Sequence, residues 1–284
     1  MIFYCDSAIF SSDKLFREMF FMKKILAVIL AAAVVCTSAM MLAGCGGSNT
    51  GKGDSGNADN SGNSASKGEL HMATNAEFPP YEYMENKKII GIDADIAHAI
   101  CDKLGYTLVI DNMKFDAIIA AVTSGKADFG MAGMTVTEER KKEVDFTDTY
   151  AKTTQVIIVK EGSDKVKNAD DLEKASIGVQ MGTTGDIFVS DFKDAKIQRF
   201  GKGAEAVEAL STGKVDAVVI DSEPAKEFVK AKGGLTILSD PFVEEQYAIC
   251  VKKGSKLTEE INGALKELKD DGTVDKIVKA YITD

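Results

Sequence analysis

The sequence predicts an α/β protein made of two similar lobes, and three observations carry that prediction. The first is an internal echo. Residues 118–134 read I-I-A-A-V-T-S-G-K-A-D-F-G-M-A-G-M, and residues 206–222 read A-V-E-A-L-S-T-G-K-V-D-A-V-V-I-D-S. Both run helix, small polar residue, Gly-Lys-x-Asp, apolar strand, with Gly125, Lys126 and Asp128 matching Gly213, Lys214 and Asp216. The separation is too long for a solenoid period, so it speaks for shared architecture. The second observation is that a strand ending in a Gly/Thr turn before a helix recurs at residues 177–187. The third is size: 284 residues, 45 % apolar and 27 % charged, suit a globular chain with room for two modest domains.

The N-terminus reads as an address. Residues 1–21 look like an upstream extension, with Met22 or Met19 as the true start. Lys23 and Lys24 open a basic region, and residues 25–42 are apolar. A basic start, an apolar core and small residues before a cleavage point make a secretory signal. The apolar run is 18 residues, near the minimum for crossing a bilayer. Leu42-Ala43-Gly44-Cys45 resembles a bacterial lipobox, which decides for cleavage before Cys45 and lipid on that cysteine. Gly, Ser, Asn and Asp dominate residues 46–68. Such a segment cannot bury a core and should be a flexible tether, with a root-mean-square reach of roughly 25–30 Å.

The folded body then begins. Residues 69–75 read as a strand, and Phe78-Pro79-Pro80-Tyr81 is a loop that proline keeps from being helix. Residues 82–90 suggest a hairpin. A helix follows, with Asp93 as its cap, Ile96, Ala97, Ile100 and Leu104 as its apolar stripe and Gly105 as its stop. Residues 106–110 read as a strand and 115–123 as a helix ending at Ser124-Gly125. Past the first echoed unit, strands are expected at 154–159, 177–180 and 247–251, and a helix from Ile187. Amphipathic helices at 257–268 and 274–281 close the chain.

Residues 128–142, D-F-G-M-A-G-M-T-V-T-E-E-R-K-K, are where chemistry is expected. A Gly-broken apolar run gives way to a helix start, with Thr135 and Glu138 at capping-box spacing and Thr137 as a second cap. Unpaired amides and a helix dipole favour an anion there, Gly133 lets a ligand approach, and Arg140 offers a fork matched to a carboxylate. Taken alone, the stretch reads first as an ordinary capped surface helix with a solvated arginine. The net charge of −10 argues against nucleic acid. His71 and His98 lie far apart and no C-x-x-C occurs, so neither metal nor cofactor is expected. Cys101 and Cys250 read as buried free thiols, and Asp93, Asp95, Asp145 and Asp148 as caps and turn residues.

Five motifs in order carry a resemblance over residues 69–284. They are Ala73-Thr74-Asn75-Ala76-Glu77-Phe78-Pro79-Pro80-Tyr81-Glu82-Tyr83, Gly91-Ile92-Asp93-Ala94-Asp95-Ile96-Ala97, and the run from Met131 through Arg140 with Asp145-Phe146-Thr147. Gly178-Val-Gln-Met-Gly-Thr-Thr-Gly185 and Asp216-Ala-Val-Val-Ile-Asp221 complete the set. The body resembles the family 3 extracellular solute-binding proteins of ATP-binding-cassette (ABC) importers for polar amino acids. That resemblance implies a two-lobed periplasmic-binding-protein fold of type II, with two crossover strands and a ligand cleft. The expected lobes are residues 69–151 with 249–284, and residues 152–248. They follow an extension and signal at 1–44 and a lipidated tether at 45–68. It implies that Phe78 and Phe115 sandwich the ligand. Arg140 would hold its α-carboxylate, with Thr135 and amides near Ala132, Gly133 and Thr184. Asp221 would hold its α-ammonium.

Three departures bear on the ligand. Asn75 stands where glutamine- and basic-amino-acid-binding relatives carry Asp, Gln180 where a glutamine-binding relative carries Lys, and Ile220 where it carries His. The side-chain pocket is thus less charged, which favours a neutral polar amino acid such as glutamine, while Glu77 and Glu82, nearby in sequence, keep lysine or arginine as the alternative. The expected partners are a free amino acid, an ABC permease with its ATPase subunits and the membrane through the lipid, for a monomeric non-enzyme. Two competing classes share the scaffold or its site: a dehydratase-type enzyme, which needs an acid or base at the reacting carbon, and a sensor ectodomain.

Overall fold

The computed structural model describes residues 66–239 and 243–283. The leader, Cys45 and nearly all of the tether lie outside the described residues. Twelve strands occur among those described. The first half of the chain gives β1 (Glu69–Thr74), β2 (Glu77–Phe78), β3 (Glu82–Glu85), β4 (Lys88–Ile90), β5 (Thr107–Asn112), β6 (Phe129–Gly130) and β7 (Val144–Lys160). The second gives β8 (Ser176–Gln180), β9 (Lys196–Phe200), β10 (Ala217–Asp221), β11 (Leu235–Ile237) and β12 (Val243–Lys252). The helices are α1 (Ile92–Leu104), α2 (Ile118–Ser124), α3 (Thr184–Val189), α4 (Gly203–Ser211), α5 (Ser222–Lys232), α6 (Leu257–Asp270) and α7 (Thr273–Tyr281). None of them is long and apolar enough to cross a membrane.

The echo is visible in the sheet. On one side β1 lies parallel between β5 and β6, and β6 abuts the antiparallel β12. On the other side β8 lies parallel between β9 and β10, and β10 abuts the antiparallel β7. The two halves meet because β7 and β12 pair with each other along most of their length, giving the order β5-β1-β6-β12-β7-β10-β8-β9. This is the α/β, two-lobed fold with two crossing strands that the sequence predicts. At the middle of the crossing, the register shifts between Tyr247 and Ala248 and again before Cys250. Such bulges bend a strand pair locally.

Periodicity explains the burial. On β8 and β10, Ile177, Val179, Ala217 and Val219 pack into one apolar cluster with Leu172 and Val189. The alternating Val218 and Ile220 join Ala206, Val207 and Leu210 of α4 in another, as a two-residue repeat requires. In the first half, Ile118 and Val122 of α2 pack with Ala73, Met134, Val144 and Cys250. Cys101 and Cys250 are buried and unbridged.

Several sequence expectations are corrected. No α-helix follows Thr135: the segment makes only one 3-10 turn, Arg140–Lys142, and the capping hydroxyl is that of Thr137, which accepts from the Arg140 N–H at 3.2 Å. Asp93 does not cap α1. Gly91 holds the N-cap position, where a Cβ would come within 2.2 Å of the Tyr81 carbonyl oxygen, and Asp93 turns inward. The strand expected at 154–159 is the end of the 17-residue β7. Helix α3 starts at Thr184 rather than Ile187, because the Thr183 hydroxyl accepts from the Asp186 N–H. Strands β2, β9 and β11 and helix α5 went unread, with Phe78 of β2 pairing to Glu82 of β3 rather than lying in a loop.

Candidate functional site

The turn after β6 and the ends of β1, β8 and β10 converge on one cavity of about 10 Å³. Asn75, Phe78, Phe115, Ala132, Gly133, Thr135, Arg140, Gln180, Thr184 and Asp221 all line it, so the expected site residues are brought together. Glu82, expected only as a nearby acid, lines it too, as does Thr183, which was missed.

Arg140 sits at one end, 7 % exposed. Its Nη1 donates to the Thr135 carbonyl at 2.6 Å and its Nη2 to the Gly182 carbonyl, across the cavity, at 3.0 Å. The guanidinium carbon lies 5.3 Å from the centre of the Phe115 ring, a cation–π contact. Burial lowers the Arg140 pKa, which the nearby Glu245 charge opposes. Arginine keeps its charge in such a place, and its remaining N–H groups suit a carboxylate. Gly133 has a left-handed backbone (φ 54°), and a Cβ there would meet the Phe78 ring at 3.0 Å. Its N–H does not face the cavity but donates to Asp93 at 2.8 Å.

Asp221 ends β10 at the other side. It is 5 % exposed, and its Oδ1 accepts from the Tyr247 hydroxyl at 2.6 Å. Burial, reinforced by the Glu245 charge, pushes the Asp221 carboxyl up to about 7. A carboxylate so placed gains most when a cation arrives. Between these ends, the Gln180 amide donates to the Asn75 carbonyl oxygen at 2.9 Å, and Asn75 donates to the Met113 carbonyl. At the rim Lys202 pairs with Glu77 at 2.5 Å.

Three buried acids lie in and behind the lining, and their burial was not legible. Asp93 accepts from Gly133 N–H and from the Tyr150 hydroxyl, 2.8 Å each. Burial pushes its carboxyl up to about 6, which those two donors resist. Glu82 is wholly buried beside Asp93, and burial, followed by the Asp93 charge and a shared proton between the two carboxyls, raises its pKa well above the usual range. Glu245 on β12 takes hydrogen bonds from Thr135, Thr184 and Gln155. The signal for Glu82 was its place in an apolar-aromatic loop, where an exposed acid would be unremarkable and a buried one is not.

The chain is similar to known proteins. Over 262 residues the chain is 36 % identical to a probable histidine-binding protein of Neisseria gonorrhoeae, covering 89 % of this chain and 94 % of that one. It is 32 % identical to the arginine-binding extracellular protein ArtP of Bacillus subtilis, covering 92 % and 99 %. Among solved structures, an ancestral arginine-binding protein bound to glutamine is 43 % identical with a TM-score of 0.74, covering 77 % of this chain and 99 % of that one. The model of the bacterial extracellular solute-binding proteins, family 3, matches residues 70–284, and the chain belongs to that family.

Proposed function

We propose that this chain is the substrate-binding lipoprotein of an ABC importer. It takes up a polar amino acid, glutamine first, and passes it to a permease. One observation carries the reading. Arg140 and Asp221, both buried, reach one cavity from opposite halves of the sheet, as the two ends of a zwitterion require. The side-chain end of the cavity offers the neutral amides of Asn75 and Gln180. In this reading the lobes are residues 69–151 with 249–284, and residues 152–248. Ligand docks on Arg140 between Phe78 and Phe115, and closure then delivers Asp221 to its ammonium. Backbone amides near Ala132 and Thr184 complete the carboxylate's partners. The protein acts as a monomer, held at the membrane by lipid on Cys45, and binds without turnover.

Calorimetric titration with glutamine, arginine, lysine and histidine tests this. Binding of glutamine and release of the same compound, chemically unchanged, are expected. A second reading, a basic amino acid, has its own support: the buried Glu82 carboxyl lines the cavity beside the Asp93 carboxyl, and a ligand cation would offset that pair of acids. Tight arginine or lysine binding with none for glutamine selects that reading. Failure of every amino acid to bind overturns both.

A further inference from the structure

Glu245 is the one charged residue of the two crossing strands that reaches the ligand groups. It lies two residues before Tyr247 on β12, so both side chains project from one face of the strand. Tyr247 serves Asp221, and Thr135 is bridged to Tyr247 through the backbone. The Glu245 Oε2 atom lies 2.7 Å from the Thr135 hydroxyl, 2.8 Å from the Thr184 hydroxyl and 3.2 Å from Gln155 Nε2. The Gln155 amide nitrogen can only donate, so this oxygen is an acceptor and the two threonines give it their protons. A hydroxyl has one proton to give. The Thr184 oxygen also receives Gln155 Nε2, at 3.3 Å. The Thr135 oxygen keeps its lone pairs free, and Thr135 lines the cavity.

We propose that Glu245 is a positioning residue that fixes the polarity of the cleft. By taking the hydroxyl protons of Thr135 and Thr184 it leaves an acceptor-only wall, which receives an ammonium and turns away a carboxylate. Thr135 thereby moves from the carboxylate's helpers, where the family resemblance put it, to the ammonium's, alongside Asp221. The carboxylate is left to Arg140 and backbone amides. Orientation is thus imposed by a residue outside the cavity lining. This rests on the amino-acid reading above and adds to it which way round the ligand's two charges discriminate.

The test compares each amino acid with its counterpart lacking the α-amino group: glutamine with glutaramate, and arginine with δ-guanidinovalerate. Calorimetry is run on the intact protein and on Glu245→Ala, Glu245→Gln and Thr135→Val. The unaltered protein should prefer the amino acid of the pair it binds. Glu245→Ala, which frees both hydroxyls to donate, should shrink that preference about tenfold or more, chiefly by weakening the amino acid. Glu245→Gln keeps an accepting oxygen and should retain most of the preference. Thr135→Val should shrink it likewise, with Asp221 still holding the ammonium. A preference unchanged in Glu245→Ala overturns the proposal. So does an equal loss in Glu245→Gln, which would assign the effect to charge rather than hydrogen-bond direction. Should Glu245→Ala fail to fold by circular dichroism, an undiminished preference in Thr135→Val overturns it instead. If neither amino acid binds the unaltered protein, the amino-acid reading itself falls and takes this inference with it.

Discussion

Asp221 couples the cavity to pH. Its carboxyl is pushed up to about 7 by burial and by the Glu245 charge, so below that pH it carries a proton that a ligand ammonium would displace. Affinity should therefore rise with pH, about tenfold per unit below about 7, and level off above it. In Asp221→Asn the profile should be flat over this range and the affinity low throughout. The stability of the unliganded protein runs the other way. A folded carboxyl above its ordinary value of 3.8 contributes fully below that value, and the contribution is lost as pH climbs through about 7. Asp93, at about 6, adds to the same loss. Thermal melts without ligand should show a lower Tm at pH 8 than at pH 5, and an unchanged Tm would contradict both assignments. Gly133 offers a cleaner steric test. Alanine there must hold a left-handed backbone and push the Phe78 ring from 3.0 Å, so Gly133→Ala should weaken ligand binding at least tenfold while the far half of the sheet stays folded. Hydrogen exchange of β8 and β10 together with a titration would separate the two effects.

The elements show what a sequence can and cannot reveal. Glycines 125 and 213 both end helices in the left-handed conformation, with φ of 76° and 78°, and each is followed by a strand in the equivalent place of its half. Local rules suffice for such a unit, so it was readable twice. The same rules misread the turn after β6. Thr135 and Glu138 have capping-box spacing, yet Thr135 is drawn to β12 by its bridge to Tyr247 and by Glu245, contacts more than a hundred residues away. Strand β7 was cut short because its first part, from Val144 to Thr153, alternates burial irregularly and carries charge. Its pairing with β12, not its composition, makes it a strand. Most of the cavity lining was legible through motifs, whereas the burial of Glu82, Asp93 and Glu245 was not, since nothing local tells a buried acid from a solvated one. Strand ends also set the grip across the cavity. Asn75 follows β1 and Gln180 ends β8, and truncating either leaves an amide unpaired in a buried place. Gln180→Ala should cost the closed form about 1–3 kcal/mol, read as a larger radius in small-angle scattering without ligand.

At the scale of the whole molecule, the lipid on Cys45 is tested by fractionation: Cys45→Ala should move the protein from membranes to the soluble fraction, and unaltered partitioning would remove the anchor from the proposal. Within the described body, the cavity of about 10 Å³ has room for about one water, the contacts of Arg140 with Gly182 and Gln180 with Asn75 cross it, and Lys202 with Glu77 ties the same two halves of the chain together. No amino acid enters a space of that size. The molecule must first come apart at those contacts, so its own opening frequency, rather than diffusion, sets how fast it loads when solute is abundant. In stopped-flow mixing the observed rate should climb with amino-acid concentration and then reach a plateau equal to that frequency. Removing the Lys202–Glu77 contact by Lys202→Ala should raise the plateau, and a rate that rises in a straight line to the highest concentration would show that no such waiting step exists.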